Sequence, residues 1–169
     1  CPMTMAGHSA PPYFITFTTY GSHLHGDVRG SVDEWHNRYG EPPMESRPAL
    51  VAYERARLKS EPLVLDAGMR GAVEDAICER CRFVGWHLWA INVRTNHVHV
   101  VVSADGTPEK VMNSFKARAT TVMRTRGLIG AETRVWARHG STRRLTSERD
   151  IETVVAYVVE GQGPELPRT

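Results

Sequence analysis

Asn96-His97-Val98-His99-Val100-Val101-Val102 constrains the fold more than any other stretch of this chain. Runs of valine at this length favour strand. In a strand, residues two apart project to the same face. His97 and His99 therefore stand side by side with Val101 beyond them, and Val98, Val100 and Val102 face the other way. Two imidazoles on one face of a strand form half of a metal site. Histidines so placed can also sit in a polar patch, bonded to their neighbours. The rest of the chain has to decide between these readings.

The elements around this strand follow from periodicity and punctuation. Tyr13 to Tyr20 is aromatic and β-branched and reads as a strand, with Gly21 ending it. Residues 21–66 read as a long insertion rich in Gly, Pro and charge, with a short helix over Ala49 to Lys59 that Pro62 stops. His23 and His25 form a second His-x-His pair there, on a Gly-flanked loop. Asp66 can cap a helix over about Met69 to Phe83, with Val73, Ile77 and Cys81 or Phe83 on its buried stripe, and Gly85 breaks it.

Trp86 to Arg94 is a strand. Thr95-Asn96 fits a tight turn, and His97 to Ser103 returns as the second arm of a hairpin. Thr107 and Pro108 open a helix that runs to about Arg126, with Val111, Phe115, Ala119 and Val122 or Met123 on its apolar stripe; Lys116 and Arg118 are read as lying off it. Arg134 to His139 is a fourth strand, and Gly140 to Thr146 reads as a polar loop. A last helix begins at Ser147, with Asp150 in a capping-box pattern, and ends near Gly161.

The expected fold class is α+β: a ferredoxin-like βαββαβ antiparallel sheet with helices on one face, a long insertion after the first strand and an additional C-terminal helix. The length of 169 residues, 41% of them hydrophobic, suits one domain over 1–169, with a loose leader at 1–10 and a tail at 164–169. That fold hosts many functions and decides none of them.

Net charge is +2, but its distribution is uneven. From 110 to 149 ten basic residues face only Glu132 and Glu148, an asymmetry that fits either a polyanion-binding half or a solvated basic face. The three cysteines, Cys1, Cys78 and Cys81, give no disulfide framework; Cys78 and Cys81 form a CxxC in a helical pattern with no second pair, which argues against zinc. There is no apolar run of the ~20 residues a membrane span needs. The expected compartment is the cytoplasm.

Tyr157 lies in the last helix among Ile151, Val154, Val155, Val158 and Val159, with Glu160 three positions on and Gln162 just beyond. A tyrosine in such a helix is ordinarily core packing. Yet YFITFTTYG, TNHVHVVV, VMNSFKARAT, VWARHGST and AYVVEGQG together resemble the single-tyrosine HUH transposases, the Y1 group of the IS200-like and REP-associated kind, from about Tyr13 to Gly163.

The resemblance implies that His97 and His99 are paired metal ligands and Tyr157 the nucleophile. It implies a third ligand, a polar side chain after the tyrosine. Gln162 matches that chemistry and is favoured, while Glu160 has the better helical phase. The ion would be Mg2+ or Mn2+. The implied reaction is metal-dependent cleavage and strand transfer of single-stranded DNA at hairpin-flanked sites through a 5′-phosphotyrosine intermediate. Partners would be single-stranded DNA with hairpins and, as an open question, a second copy of the chain; no membrane is expected. Lys116, Arg118, Arg143 and Arg144 are the candidate phosphate contacts. Trp136 is a candidate stacking platform and His139 a weaker site candidate. The alternatives are a relative that binds DNA hairpins without transposing them, and a ferredoxin-like nucleic-acid-binding module without catalysis that uses the YFITF strand for stacking.

Overall fold

A computed structural model of the chain describes residues 9–22 and 62–160. The leader up to residue 8, most of the insertion with His23, His25 and the expected helix over Ala49 to Lys59, and Gln162 with the tail lie outside the described residues.

The element order is β1 (Pro12–Thr19), α1 (Ala67–Val84), β2 (His87–Val93), β3 (His97–Ser103), α2 (Pro108–Thr125), β4 (Trp136–Arg144) and α3 (Glu148–Glu160). The sheet order is β2-β3-β1-β4, with every neighbouring pair antiparallel. This is the ferredoxin-like βαββαβ arrangement with a further C-terminal helix.

Local chemistry sets the helix ends. Asp66 accepts a hydrogen bond from the Met69 amide at 2.8 Å and so caps α1. Gly85 closes the same helix at φ 79°, a left-handed conformation that glycine adopts without strain. Thr107 caps α2 just before Pro108, whose missing amide costs nothing in the first turn. Ser147 accepts from the Asp150 amide, and the Asp150 carboxylate accepts from Thr146.

The sheet divides the molecule by alternation. Tyr13, Ile15 and Phe17 of β1 and Val98, Val100 and Val102 of β3 point toward α1 and α2 and bury with Val73, Ile77, Phe115 and Met123. The opposite face is covered in part by α3, whose Ile151, Val154 and Val158 pack on Ala90, Val101 and Leu145. On α1 the buried place at the helix end belongs to Cys81; Phe83 is 84% exposed.

Two expectations require correction. The fourth strand does not stop at His139: β4 begins at Trp136 and runs to Arg144, pairing with β1 through Tyr13–Arg144, Phe14–Arg143 and Thr16–Ser141. As an edge strand with mostly exposed or half-buried residues, it lacks the apolar alternation that marks buried strands. Gly140 lies inside it because a Cβ there would come 2.6 Å from the Thr16 carbonyl oxygen. The second correction is Lys116, which lies on the buried stripe of α2 and not off it. Its ammonium donates to the carbonyl oxygens of Ala137 and His139 at 3.0 and 3.2 Å, tying α2 to β4.

Candidate active site

The candidate site forms on the face of the sheet that α3 partly covers. The turn between β2 and β3 is pinned on three sides. Arg94 donates to the His97 carbonyl at 2.8 Å, Thr19 to the Asn96 carbonyl at 2.9 Å, and Leu65 to the Thr95 carbonyl at 2.7 Å. The histidines that follow therefore start from a fixed backbone.

Their rings are fixed as well. His97 and His99 have ring centroids 4.7 Å apart. The Asn96 side-chain oxygen lies 2.7 Å from His97 Nδ1; in the tautomer that makes this bond, Nδ1 donates and the lone pair of a neutral ring is on Nε2. His99 Nδ1 pairs with the Thr16 hydroxyl at 2.8 Å. Thr16 is also the residue opposite His99 across the β1–β3 ladder, so the strand register itself delivers this partner. Phe14, on the same face of β1, stacks on the His99 ring at 5.6 Å.

Tyr157 reaches this group from α3. Its ring centroid is 6.0 Å from that of His99 and 6.3 Å from that of Phe14, in edge contacts. The helix docks through Ile151, Val154 and Val158. Tyr157 is one residue, or about 100° of helix turn, away from Val158, so it overhangs the edge of the docked stripe. It is 49% exposed, whereas His99 is only 8% exposed. A core tyrosine would be buried; this one offers its ring to His99 and Phe14 and its surface to solvent.

The other site candidates separate. Arg143 pairs with Phe14, and directly opposed residues share a face, so Arg143 lies on the histidine side. It stands 3.8 Å from Asp150 of α3. Arg144 pairs with Tyr13 and belongs to the α1–α2 side. Arg118 pairs with Glu79 at 3.4 Å on the outer surface of the two helices. Lys116 is buried, and desolvation lowers its pKa below the usual lysine value. Trp136 is a packing residue: its ring meets Phe17 edge-on at 5.0 Å, and its indole N–H donates to the Lys116 carbonyl and the Thr120 hydroxyl. His139 is exposed. Of the four basic candidates, Arg143 alone shares the face of Tyr157.

Glu160 ends α3, but among the described residues no three His, Cys, Asp or Glu side chains come together as a metal-holding group. Cys78 and Cys81 are free thiols on α1. Burial, with the neighbouring Cys78, pushes the Cys81 thiol up to about 12, so it stays protonated at neutral pH. Thr16, Asn96 and Phe14 carried no sequence signal of a role at the site. Asn96 was the nearest to legible, as the residue before His97.

The family model for "Transposase IS200 like" matches residues 56–161 of the 169. The chain belongs to the IS200-like transposase family. No curated protein matches this transposase. Among solved structures it is similar to a REP-associated tyrosine transposase bound to a REP hairpin, at 12% identity and a TM-score of 0.47, over 94% of this chain and 70% of that one. It is similar also to a candidate transposase from Deinococcus radiodurans R1, at 14% identity and a TM-score of 0.46, over 98% of this chain and all of the other. Among the described residues of the transposase, no helix is long and apolar enough to cross a membrane.

Proposed function

We propose that this transposase cleaves and rejoins single-stranded DNA through a covalent 5′-phosphotyrosine link on Tyr157. The observation that carries the reading is the convergence of Tyr157, His99 and His97 on one face of the sheet, with successive ring centroids 6.0 and 4.7 Å apart.

A divalent ion fits the donor set. Both imidazoles hold Nδ1 against an oxygen of the chain, the outer support that metal-binding histidines ordinarily have. Neutral imidazoles with the carboxamide of Gln162 would make a nitrogen–oxygen set that suits Mn2+ better than Mg2+. Gln162 is favoured as the third ligand on its chemistry, and Glu160, at the end of α3, is the alternative. When bound, the ion supplies charge stabilisation at the scissile phosphate.

The protein residues do the rest. A phenol ionises about three units above neutral pH, so tyrosine is a weak nucleophile until it is oriented and its target is polarised. The Tyr157 oxygen loses its proton and bonds to phosphorus in line, and the 3′-oxygen of the upstream nucleotide leaves and takes a proton. The product holds the downstream strand by its 5′-phosphate. Attack by a 3′-hydroxyl reverses the exchange or joins a new strand, with no external energy source. Arg143, on the same face, is the first candidate for a flanking phosphate. Hairpin DNA in the bacterial nucleoid is the proposed partner, in keeping with the family.

The test is to incubate the protein with Mn2+ and end-labelled single strands taken from the DNA flanking its coding sequence. A labelled band shifted on a denaturing gel, absent with Tyr157→Phe, is the expected result. Binding without a shifted band in the wild type would favour a nucleic-acid-binding module.

A further inference from the structure

The placement of Tyr157 depends on how α3 sits on the sheet. Its apolar contacts, Ile151, Val154 and Val158, hold it by burial, which is non-directional and tolerates a slide along the strands. A directional tie exists at the other end of the docked stripe from the β4–α3 loop. The Asn92 carboxamide donates to the Val158 carbonyl oxygen at 2.9 Å. Carbonyls in the last turn of a helix have no intrahelical partner, so Asn92 caps α3 from the sheet. The bond is made to the residue next to Tyr157. Asn92 is also the ladder partner of His99 across β2–β3, so its side chain rises on the same face beside the buried histidine.

We propose that Asn92 is a positioning residue that sets the register of the Tyr157 helix against the histidine pair. The proposal rests on Tyr157 being the nucleophile. One amide links the strand position beside His99 to the backbone of the residue that follows Tyr157. The tyrosine itself is half-exposed, and its ring touches Phe14 and His99 only edge-on. Misplacing a reacting group by about 1 Å can cost up to about a hundredfold in rate.

Asn92→Leu keeps roughly the size, removes the donor and adds no charge; Asn92→Ser is the second variant, too short to span the gap, in case the first does not fold. Both are assayed in single turnover with saturating labelled single-stranded DNA and Mn2+. The expected result is a fall in adduct formation of about tenfold to a hundredfold. DNA affinity and Mn2+ affinity hold, the thermal midpoint falls slightly as the Val158 carbonyl loses its partner, and amide exchange in the last turn of α3 speeds up. An unchanged adduct rate in a folded variant overturns the proposal. So does a loss that tracks DNA or Mn2+ affinity, because Asn92 would then act through binding or through His99. A wild type that forms no adduct defeats the strand-transfer reading on its own lane, and the positioning role falls with it even where exchange bears out the tie.

Discussion

The two faces of the sheet are built from the same strands and do different work. Toward α1 and α2, β1 and β3 present Tyr13, Ile15, Phe17, Val98, Val100 and Val102, all buried. Toward α3 the intervening positions present Phe14, Thr16, His97 and His99, and the apolar cluster there is smaller. Period-2 alternation lets one strand anchor the core and carry polar groups without either compromising the other. The polar side chains of the α3 face, the buried His99 included, lean on a backbone held from behind. The lesson is separability: changes on one face are expected to alter stability and on the other chemistry, and each variant below tests that division.

The largest effect is expected at Tyr157. Tyr157→Phe removes the attacking oxygen but keeps the ring contacts with Phe14 and His99. Covalent adduct should disappear, with DNA affinity and the thermal midpoint unchanged; residual cleavage on a denaturing gel would identify another nucleophile. The mirror variant is Phe115→Ala on the helical face, where Phe115 is fully buried. It should cost about 3–5 kcal/mol in urea unfolding. The adduct rate per native molecule should stay at the wild-type value, and a fall in that normalised rate would break the division.

The histidines sharpen the comparison because they differ in burial. His97→Ala and His99→Ala should each lose cleavage at low Mn2+, with partial recovery at high Mn2+ from the ligands that remain. His99→Ala should also destabilise by roughly 1–3 kcal/mol, since it leaves the Thr16 hydroxyl without its imidazole partner. His97→Ala should be nearly silent in unfolding. Equal destabilisation by both would show that burial does not separate them.

Much of this division could be read in the residues. The alternation of His97 to Val102 gives both faces of β3, and Asp66, Gly85, Thr107 and Pro108 mark helix ends where the structure has them. Residues 140–144 could not be read as strand, because an edge strand with exposed side chains has no hydrophobic signature; its pairing with β1 is a long-range fact. Lys116 escapes a local reading for a related reason. Its phase, one position beyond Phe115, is that of the buried stripe, but its charge argued for solvent, and the carbonyls that accept from it come from a strand about twenty residues on. Thr16 meets His99 across 83 residues of sequence, a contact no local pattern encodes.

The basic residues give a smaller effect. Arg143 and Arg144 are adjacent in sequence but pair with residues on opposite faces, Phe14 and Tyr13. Arg143→Ala should weaken single-stranded DNA binding and reduce the slope of log affinity against log salt by about 0.7, the loss of one phosphate contact. Arg144→Ala should change it less. Equal slopes for the two would mean that DNA wraps the β4 edge instead of lying on the histidine face.

The smallest effect is a pH dependence of stability confined to the helical side. Burial raises the Cys81 thiol from its ordinary 9.0 to about 12. Above pH 9 the unfolded chain loses this proton first, so stability is complete below about 9 and falls as pH rises toward 12, by at most about 1.4 kcal/mol per unit. Lys116 has the opposite sign. Its pKa is lowered from 10.5 by desolvation, so the unfolded chain holds the proton more tightly, and stability rises as pH climbs from the folded pKa toward 10.5. The two slopes oppose each other where their windows overlap, and the wild type should be flatter there than either variant. Cys81→Ala should expose the rise and Lys116→Met the fall, read as urea midpoints at a series of pH values from 8 to 11. Each variant also carries a constant cost, a small cavity for Cys81→Ala and unpartnered carbonyls at Ala137 and His139 for Lys116→Met, so the slope and not the midpoint is the measure. Identical slopes in all three proteins would mean that neither burial is felt on folding.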